Sequence, residues 1–250
     1  MAGSGFTSEL RFAVRDWFAW TPGRETRPDW RTWARGMGSD VSGEDAAAMP
    51  TVPMMLRRRA TPIGQKVMGA ALACRDIGGA RYVVASRHGE YDRTVGIFTS
   101  LAAREAPSPA EFSMSVHNGL AGLLSIHTGN KLGHVAIAAG EDSFAYGLIE
   151  ASLCLAEEPE TPVLLLYYDA PLPAGYDPFR NPSEAELPVI VALVLEKARG
   201  AAISCSWMPA VPAVEVRGNQ AVAFMRWLLS GAPDGRCAGE RMTWRWSHVH

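Results

Sequence analysis

The stretch Ser108-Pro-Ala-Glu-Phe-Ser-Met-Ser-Val-His-Asn-Gly-Leu-Ala-Gly122, with its continuation through Gly129 to Gly140-Glu-Asp-Ser143, decides how this chain is read. It sets a Ser-Pro, then Asn118 ahead of an Ala-Gly pair, then Gly129, then the apolar run Val135-Ala-Ile-Ala-Ala139. Ser115 is placed to cap a helix running through Ile126, and Gly129 to follow its end. Serine side chains satisfy the free amides of a helix start, and glycine takes the left-handed backbone past a helix terminus. Val135 to Ala139 reads as a buried strand. Ser143 to Ala156 reads as a helix with Phe144, Leu148, Ala151 and Leu155 along one face. Residues 140–143 therefore sit where a strand gives way to a helix.

Working outward, Leu10 to Trp20 reads as a first strand, stopped by Thr21-Pro22-Gly23. Asp29 to Ala34 is a short Trp-rich helix, and 36–53 is polar and irregular, expected as a loop. Met54 to Ile77 carries Ile63, Val67, Ala70, Ala71 and Cys74 at helical spacing and predicts one helix, stopped by Gly78-Gly79. Tyr82 to Ala85 is a short buried strand, and Asp92 to Ala103 a helix. Val163 to Tyr168 is a strand, and residues 169–188 form a Pro-rich exposed loop. Leu187–Leu195 and Ala201–Met208 read as strands joined in a hairpin at Lys197 to Gly200. Asn219 to Leu229 reads as a helix and Met242 to Val249 as a last strand. The alternation argues for an α/β layered fold, one domain over 1–250, with helices on the faces of a mixed central β-sheet. No internal repeat is present.

At 250 residues and 48% hydrophobic, the chain can bury a sizeable core. A net charge of −2 with interspersed signs predicts no nucleic-acid surface. The basic run Arg57-Arg58-Arg59 is a solvated or partner-facing helix start, or a phosphate contact for a carrier-protein arm. Cys74, Cys154, Cys205 and Cys237 form no C-x-x-C pair, so zinc of that kind is unsupported, and a reduced, cytoplasmic setting is expected. Arg11, Arg15 and Asp16 interrupt any apolar signal core, and no apolar run reaches membrane-spanning length. His127 and His134 flank the Gly129 turn at a spacing that matches no zinc motif, so no metal or other cofactor is expected. His248 and His250 are expected to be exposed.

The opening stretch resembles the N-terminal half of the β-ketoacyl synthases, the condensing enzymes of fatty-acid and polyketide assembly. In that family a Ser-Pro, an Asn before an Ala-Gly helix, a Gly-rich turn and a strand lead to the nucleophilic Cys. Ser108-Pro109, Asn118, Ala121-Gly122 and Gly129 match that order, and counting on without a gap puts Glu141 at the nucleophile position. The resemblance implies a thiolase-like half-fold that lacks its thiolate. Leu56-Arg-Arg-Arg59, Ser86-Arg-His-Gly89 and Ser115-Val-His-Asn118 also resemble motifs of short ketosynthase-like proteins of aryl polyene pigment clusters. Together the motifs span about Trp30 to Pro173. The resemblance further implies pairing with an active ketosynthase subunit as a chain-length factor, and contact with an acyl carrier protein through that complex. Glu111, Phe112, Met114, Val116, His117 and Asn118 would then lie at the subunit interface and acyl tunnel.

Each residue also has a plainer reading. Glu141 suits a helix N-terminus, where negative charge stabilises by about 0.3–1 kcal/mol, and Asp142 and Ser143 fit N-terminal capping. A carboxylate is a poor nucleophile toward thioesters, so Glu141 cannot replace a thiolate. Ser86, Arg87 and His88 lie at a strand end, where α/β folds often carry function. Ser86 and His88 are too close in sequence to pair easily, and a hydrogen-bonded turn is the plainer account. An independent hydrolase or acyltransferase using Ser86, Ser143 or Cys154 is the rival, although no G-x-S-x-G elbow occurs. A homodimeric scaffold or acyl-binding module is the third possibility.

Overall fold

The computed structural model describes residues 8–36, 49–180, 187–210 and 218–249. In chain order the elements are β1 (Ser8–Trp20), α1 (Arg27–Ala34), α2 (Met54–Arg57), α3 (Pro62–Leu72), β2 (Arg81–Ala85), α4 (Tyr91–Ala102), α5 (Pro109–Met114) and α6 (Gly119–Thr128). There follow β3 (His134–Ile137), α7 (Ser143–Glu157), β4 (Val163–Asp169), β5 (Val189–Glu196), β6 (Ala202–Pro209), α8 (Gln220–Ser230), β7 (Asp234–Ala238) and β8 (Met242–Val249). Eight strands form one sheet in the order β3-β2-β4-β5-β1-β6-β8-β7. β2 pairs in parallel with both β3 and β4, and the remaining neighbours pair antiparallel.

Both faces of the sheet are covered around β4 and β5, so those two strands are buried almost throughout, whereas β6 and β8 also carry exposed and half-buried positions. Alternate residues of β4 point to opposite sides. Val163, Leu165 and Tyr167 enter one core with Phe144, Leu148 and Leu155 of α7 and Phe224 of α8. Leu164, Leu166 and Tyr168 enter a second core with Val67 and Ala70 of α3 and Leu120 and Leu124 of α6. α7 approaches the sheet closely at Gly147, where a Cβ would stand 2.8 Å from Leu165 Cδ1 and 2.9 Å from Ala85 Cβ.

The mixed sheet, the helix over Ser143 to Ala156 and the strands at β1, β2, β4 and β8 agree with the sequence reading. Three local expectations do not. The predicted helix from Met54 to Ile77 breaks at Thr61-Pro62. Pro62 lacks an N–H and suits a first helical turn, and Thr61 Oγ1 accepts from Gly64 N at 3.1 Å, so a new helix starts there. Ser115 does not cap the following helix. It ends an extra helix, α5, with its hydroxyl donating to Phe112 O at 2.8 Å, and α6 begins after Asn118.

Thirdly, β5 and β6 are not a hairpin. Both lie antiparallel to β1, on its opposite edges: Ala13 faces Glu196 of β5 while Phe12 faces Ile203 of β6. β1 is long enough to serve two neighbours in turn, changing from β6 to β5 between Phe12 and Ala13, with a bulge at Arg15 just inside the β5 pairing. The closing hairpin is instead β7–β8, and β7 was not foreseen. The predicted exposed loop 169–188 starts one residue late in the structure: Asp169 ends β4, and the described residues from 170 on form an irregular loop with one short turn, Asp177–Phe179, in which Leu172 is buried and residues 174–180 are mostly exposed. Residues 181–186, most of the predicted 36–53 loop, and His250 lie outside the described residues. Among the described residues no helix is long and apolar enough to cross a membrane.

Candidate functional site

The carboxyl ends of β2, β3 and β4 bring the sequence motifs together. Ser86 follows β2, and its N–H donates to Ile137 O of β3 at 3.0 Å. The chain leaving β3 turns at Gly140, whose φ of +60° favours a residue without a side chain, and passes through a single tight turn, Gly140–Asp142, into α7. Glu141 occupies the middle of this strand-to-helix bend. It is half-buried, and its Oε1 is sealed from solvent with no hydrogen-bond partner among the described residues.

Its neighbours do not cap α7 as the sequence suggested. Ser143 Oγ accepts from Ala139 N at 3.0 Å and donates to Gly140 O at 2.7 Å, stitching the bend to itself. Asp142 turns away from the helix and is fully buried. Its Oδ1 accepts from Gln220 Nε2 of α8 at 2.7 Å and Trp244 Nε1 of β8 at 2.9 Å, and its Oδ2 from Arg241 N at 2.9 Å. Gly239 makes room for this carboxylate, since a Cβ there would stand 1.7 Å from Oδ1.

The Ser86–Gly89 and His117–Asn118 motifs meet in space. Ser86 is fully buried. Its Oγ accepts from Gly89 N at 2.8 Å and shares a hydrogen bond with the Tyr168 hydroxyl, whose pKa burial raises. The His117 ring packs on Gly89, where a Cβ would lie 3.3 Å from ring atoms, and its Nε2 is buried without a partner among the described residues. His88 stands edge-on to Tyr91, which in turn meets Tyr176 from the loop after β4. Burial and the Asp169 charge push the Tyr167 hydroxyl well above its ordinary pKa, against the lowering effect of Arg87 and of Asn219, whose Nδ2 donates to that hydroxyl at 2.9 Å.

Beside this lies a surface rich in exposed apolar groups. α5 buries none of its residues: Glu111 and Phe112 are exposed, the latter by 65%, and Met114 is half-buried. Val116 is exposed by 51%, His117 is half-buried and Asn118 exposed. On α4, Phe98 and Leu101 are three residues apart, share one face, and are exposed as well. Among the described residues β3 is an outer strand with a neighbour on one side only, and its residues are exposed or half-buried where those of β2 are almost all buried.

Sequence reasoning missed the buried ion cluster that carries α5. The Arg93 guanidinium, almost wholly buried, donates through Nη1 to Glu111 Oε2 at 2.5 Å and through Nη2 to Arg59 O at 3.0 Å. Its Nε lies 3.4 Å from Glu90 Oε2. Thr61 Oγ1 hydrogen-bonds Glu90 Oε1. Burial pushes the Glu90 carboxyl above its ordinary range, against the lowering effect of Thr61 and Arg93. Glu90 and Arg93, spaced i, i+3 at the start of a helix, were the available signal. Thr61, Arg93 and Glu111 also line a cleft of about 370 Å³ with Ile97 and Pro107.

The four cysteines are buried and form no disulfide among the described residues. Burial, joined by the Asp16 charge, pushes the Cys74 thiol up to about 12, and burial pushes Cys205 to about 12 and raises Cys154. The exposed His127 lies in the last turn of α6, and the exposed His134 begins β3.

Comparison with known proteins follows this geometry. The family model for the β-ketoacyl synthase N-terminal domain matches residues 30–247. A ketosynthase (ApeO) in complex with its chain length factor (ApeC) from Xenorhabdus doucetiae is similar with a TM-score of 0.80 and 29% identity, over 95% of this chain and 99% of that one. The ishigamide ketosynthase/chain length factor is similar in fold, with a TM-score of 0.56 and 15% identity over 83% of this chain and 69% of that chain. The AntDE:AntF complex, a type II PKS acyl-carrier protein with its ketosynthase bound to the hexaketide, gives a TM-score of 0.52 and 14% identity over 77% and 64%. A search of curated proteins finds no match. The sheet, the strand-to-helix bend and the family match agree: this chain belongs to the β-ketoacyl synthase N-terminal-domain family and has its thiolase-like fold.

Proposed function

We propose that this chain is a catalytically inactive chain-length-factor subunit that pairs with an active β-ketoacyl synthase and shapes the tunnel holding the growing acyl chain. The observation that carries the reading is the end-to-end match with one chain of a ketosynthase–chain length factor complex, two chains of nearly equal length. The ishigamide and AntDE:AntF chains extend well beyond the matched region. Glu141 at the bend takes the seat of the family's reactive thiol. A thioester needs a thiolate or an activated hydroxyl there, and the neighbouring hydroxyls of Ser86 and Ser143 are buried and engaged in hydrogen bonds. Cys154 is held protonated by burial. Phe112, Met114, Val116, His117 and Asn118 on the exposed face, with the open edge of β3, form the pairing surface, and Glu111 anchors it through Arg93. The Leu56–Arg59, Ser86–Gly89 and Ser115–Asn118 motifs favour a polyene-type product made in the cytoplasm.

The test is co-expression with a full-length ketosynthase and an acyl carrier protein from the same gene neighbourhood. The expected result is an equimolar complex burying on the order of 2,000 Å². The double variant Phe112→Glu, Val116→Glu should weaken pairing by at least about tenfold, since charges replace apolar anchors. Glu141→Ala should leave condensation by the assembled complex largely intact. A stable monomer with no affinity for the synthase would count against the proposal. So would complete loss of turnover in an assembled Glu141→Ala complex, or covalent acylation of the isolated chain.

A further inference from the structure

We infer that the tip of the β7–β8 hairpin is a plug seated on the strand-to-helix bend, where the Glu240 carboxylate would keep even a thiol at position 141 unreactive. This rests on the reading of Glu141 as the seat of the family's nucleophile. The backbone of the tip is fixed on both sides of Glu240. On one side Gly239 N donates to Met242 O at 2.8 Å. Gly239 also lies so close to the bend that a Cβ there would stand 1.7 Å from Asp142 Oδ1 and 2.5 Å from Gln220 Nε2. On the other side Arg241 N donates to Asp142 Oδ2 at 2.9 Å, and Ala210 N donates to Arg241 O at 2.8 Å. Between these anchors the Glu240 side chain is laid on Gly140. A Cβ at Gly140 would stand 2.7 Å from Glu240 Oε2, so a carboxylate fills the space that a side chain would take just before position 141. Glu240 is exposed and has no hydrogen-bond or ion-pair partner among the described residues. What it contributes at the bend is therefore position and charge.

A thiol reacts as its thiolate, which needs positive surroundings and an open approach. The bend supplies neither. A negative charge beside position 141 disfavours a second one there. The amides that make a helix start positive are already matched. Asp142 N donates to Ala139 O at 3.1 Å, Ser143 N to Gly140 O, and Ala145 N to Gln220 Oε1 at 3.3 Å. The buried Asp142 carboxylate adds a further negative charge on the next residue. Glu141 Oε1 is itself sealed from solvent. Loss of the cysteine is thus one of two locks. The second is the hairpin tip, whose Arg241 stands 99 residues along the chain from Asp142.

The test uses the full-length chain carrying Glu141→Cys, labelled with iodoacetamide at about pH 8 and read by peptide mass. The four native thiols are buried, so the new one is followed alone. It should alkylate at least about tenfold more slowly than free cysteine, as a thiol pKa raised by one unit or more requires. Adding Glu240→Gln, which keeps the shape and removes the charge, should raise the rate severalfold. Adding Glu240→Gly, which also clears the space, should raise it by about tenfold or more. A gain with glycine alone assigns the lock to bulk, and a gain already with glutamine assigns it to charge. Labelling confined to position 141 shows that the fold is kept, because unfolding would expose all the thiols together. A Glu141→Cys thiol that reacts as fast as free cysteine overturns the inference, and so does a slow one that neither change at Glu240 accelerates. These rates involve no synthase. A chain that shows the Glu240 effect but pairs with no synthase keeps the plug and loses the pairing proposal, and a chain that pairs without the effect loses only the plug.

Discussion

Asp142 is a carboxylate withdrawn from water and held by three donors: Gln220 Nε2, Trp244 Nε1 and Arg241 N. Removing the acceptor leaves two buried donors, Gln220 Nε2 and Trp244 Nε1, and the partly buried Arg241 N unmatched, each buried one costing roughly 1–3 kcal/mol. Asp142→Ala is therefore expected to lose about 3–5 kcal/mol in urea denaturation. Asp142→Asn should lose less, because one of its two faces still accepts. Equal stability of the wild type and Asp142→Ala would mean that water or a rearranged side chain takes the carboxylate's place. The partners stand 78 to 102 residues away along the chain, which is why sequence could place Asp142 at a helix start but not see what it does there. Glu141 is the opposite case. Its place at the bend was legible, because a strand run, a glycine and a helix run are all local signals.

At the scale of elements, the α4–α5 pair is fastened to the body of the protein by the Thr61–Glu90–Arg93–Glu111 cluster, and this sets a pH dependence. Burial holds the Glu90 carboxyl above its ordinary range, so the native state keeps that proton to higher pH than the unfolded chain. The resulting stabilisation is fully present below the unfolded-state pKa and is lost as pH rises through the raised native value. From about pH 4 upward, across the carboxylate range, the wild type should lose stability relative to Glu90→Gln, which cannot ionise. Denaturation midpoints of both proteins across that range check this, and parallel curves would remove Glu90 as the titrating group. The cluster was not legible because Thr61, Glu90 and Glu111 come from three separate elements. The same limit explains the misread β5–β6 hairpin. A short polar connection between two strand runs is the signature of a hairpin, and only the long β1 running between them reverses that reading.

Across the whole molecule, the layered mixed sheet was legible because apolar runs with both faces covered and helical stripes recur through the middle of the chain. The path after Ala174 was not. There the chain returns to lay β5 beside β4, then extends the sheet through β6, β8 and β7, while α8 covers the same face as α7 and meets Asp142. This second half seals the thiols as well as the bend. Cys74, Cys154, Cys205 and Cys237 are all buried, and Cys74 and Cys205 are held to about 12. At pH 8 a thiol with such a pKa is ionised to about one part in ten thousand, and the thiolate is the reacting species. A condensing-type nucleophile has the reverse character, a depressed pKa and an open approach. Iodoacetamide at about pH 8 should therefore leave the folded chain essentially unmodified, with labelling that appears only as urea unfolds it and then reaches all four cysteines together. One thiol reacting fast and stoichiometrically in the native protein would contradict that sealing. It would also give this chain the nucleophile that its proposed role as a silent partner denies it.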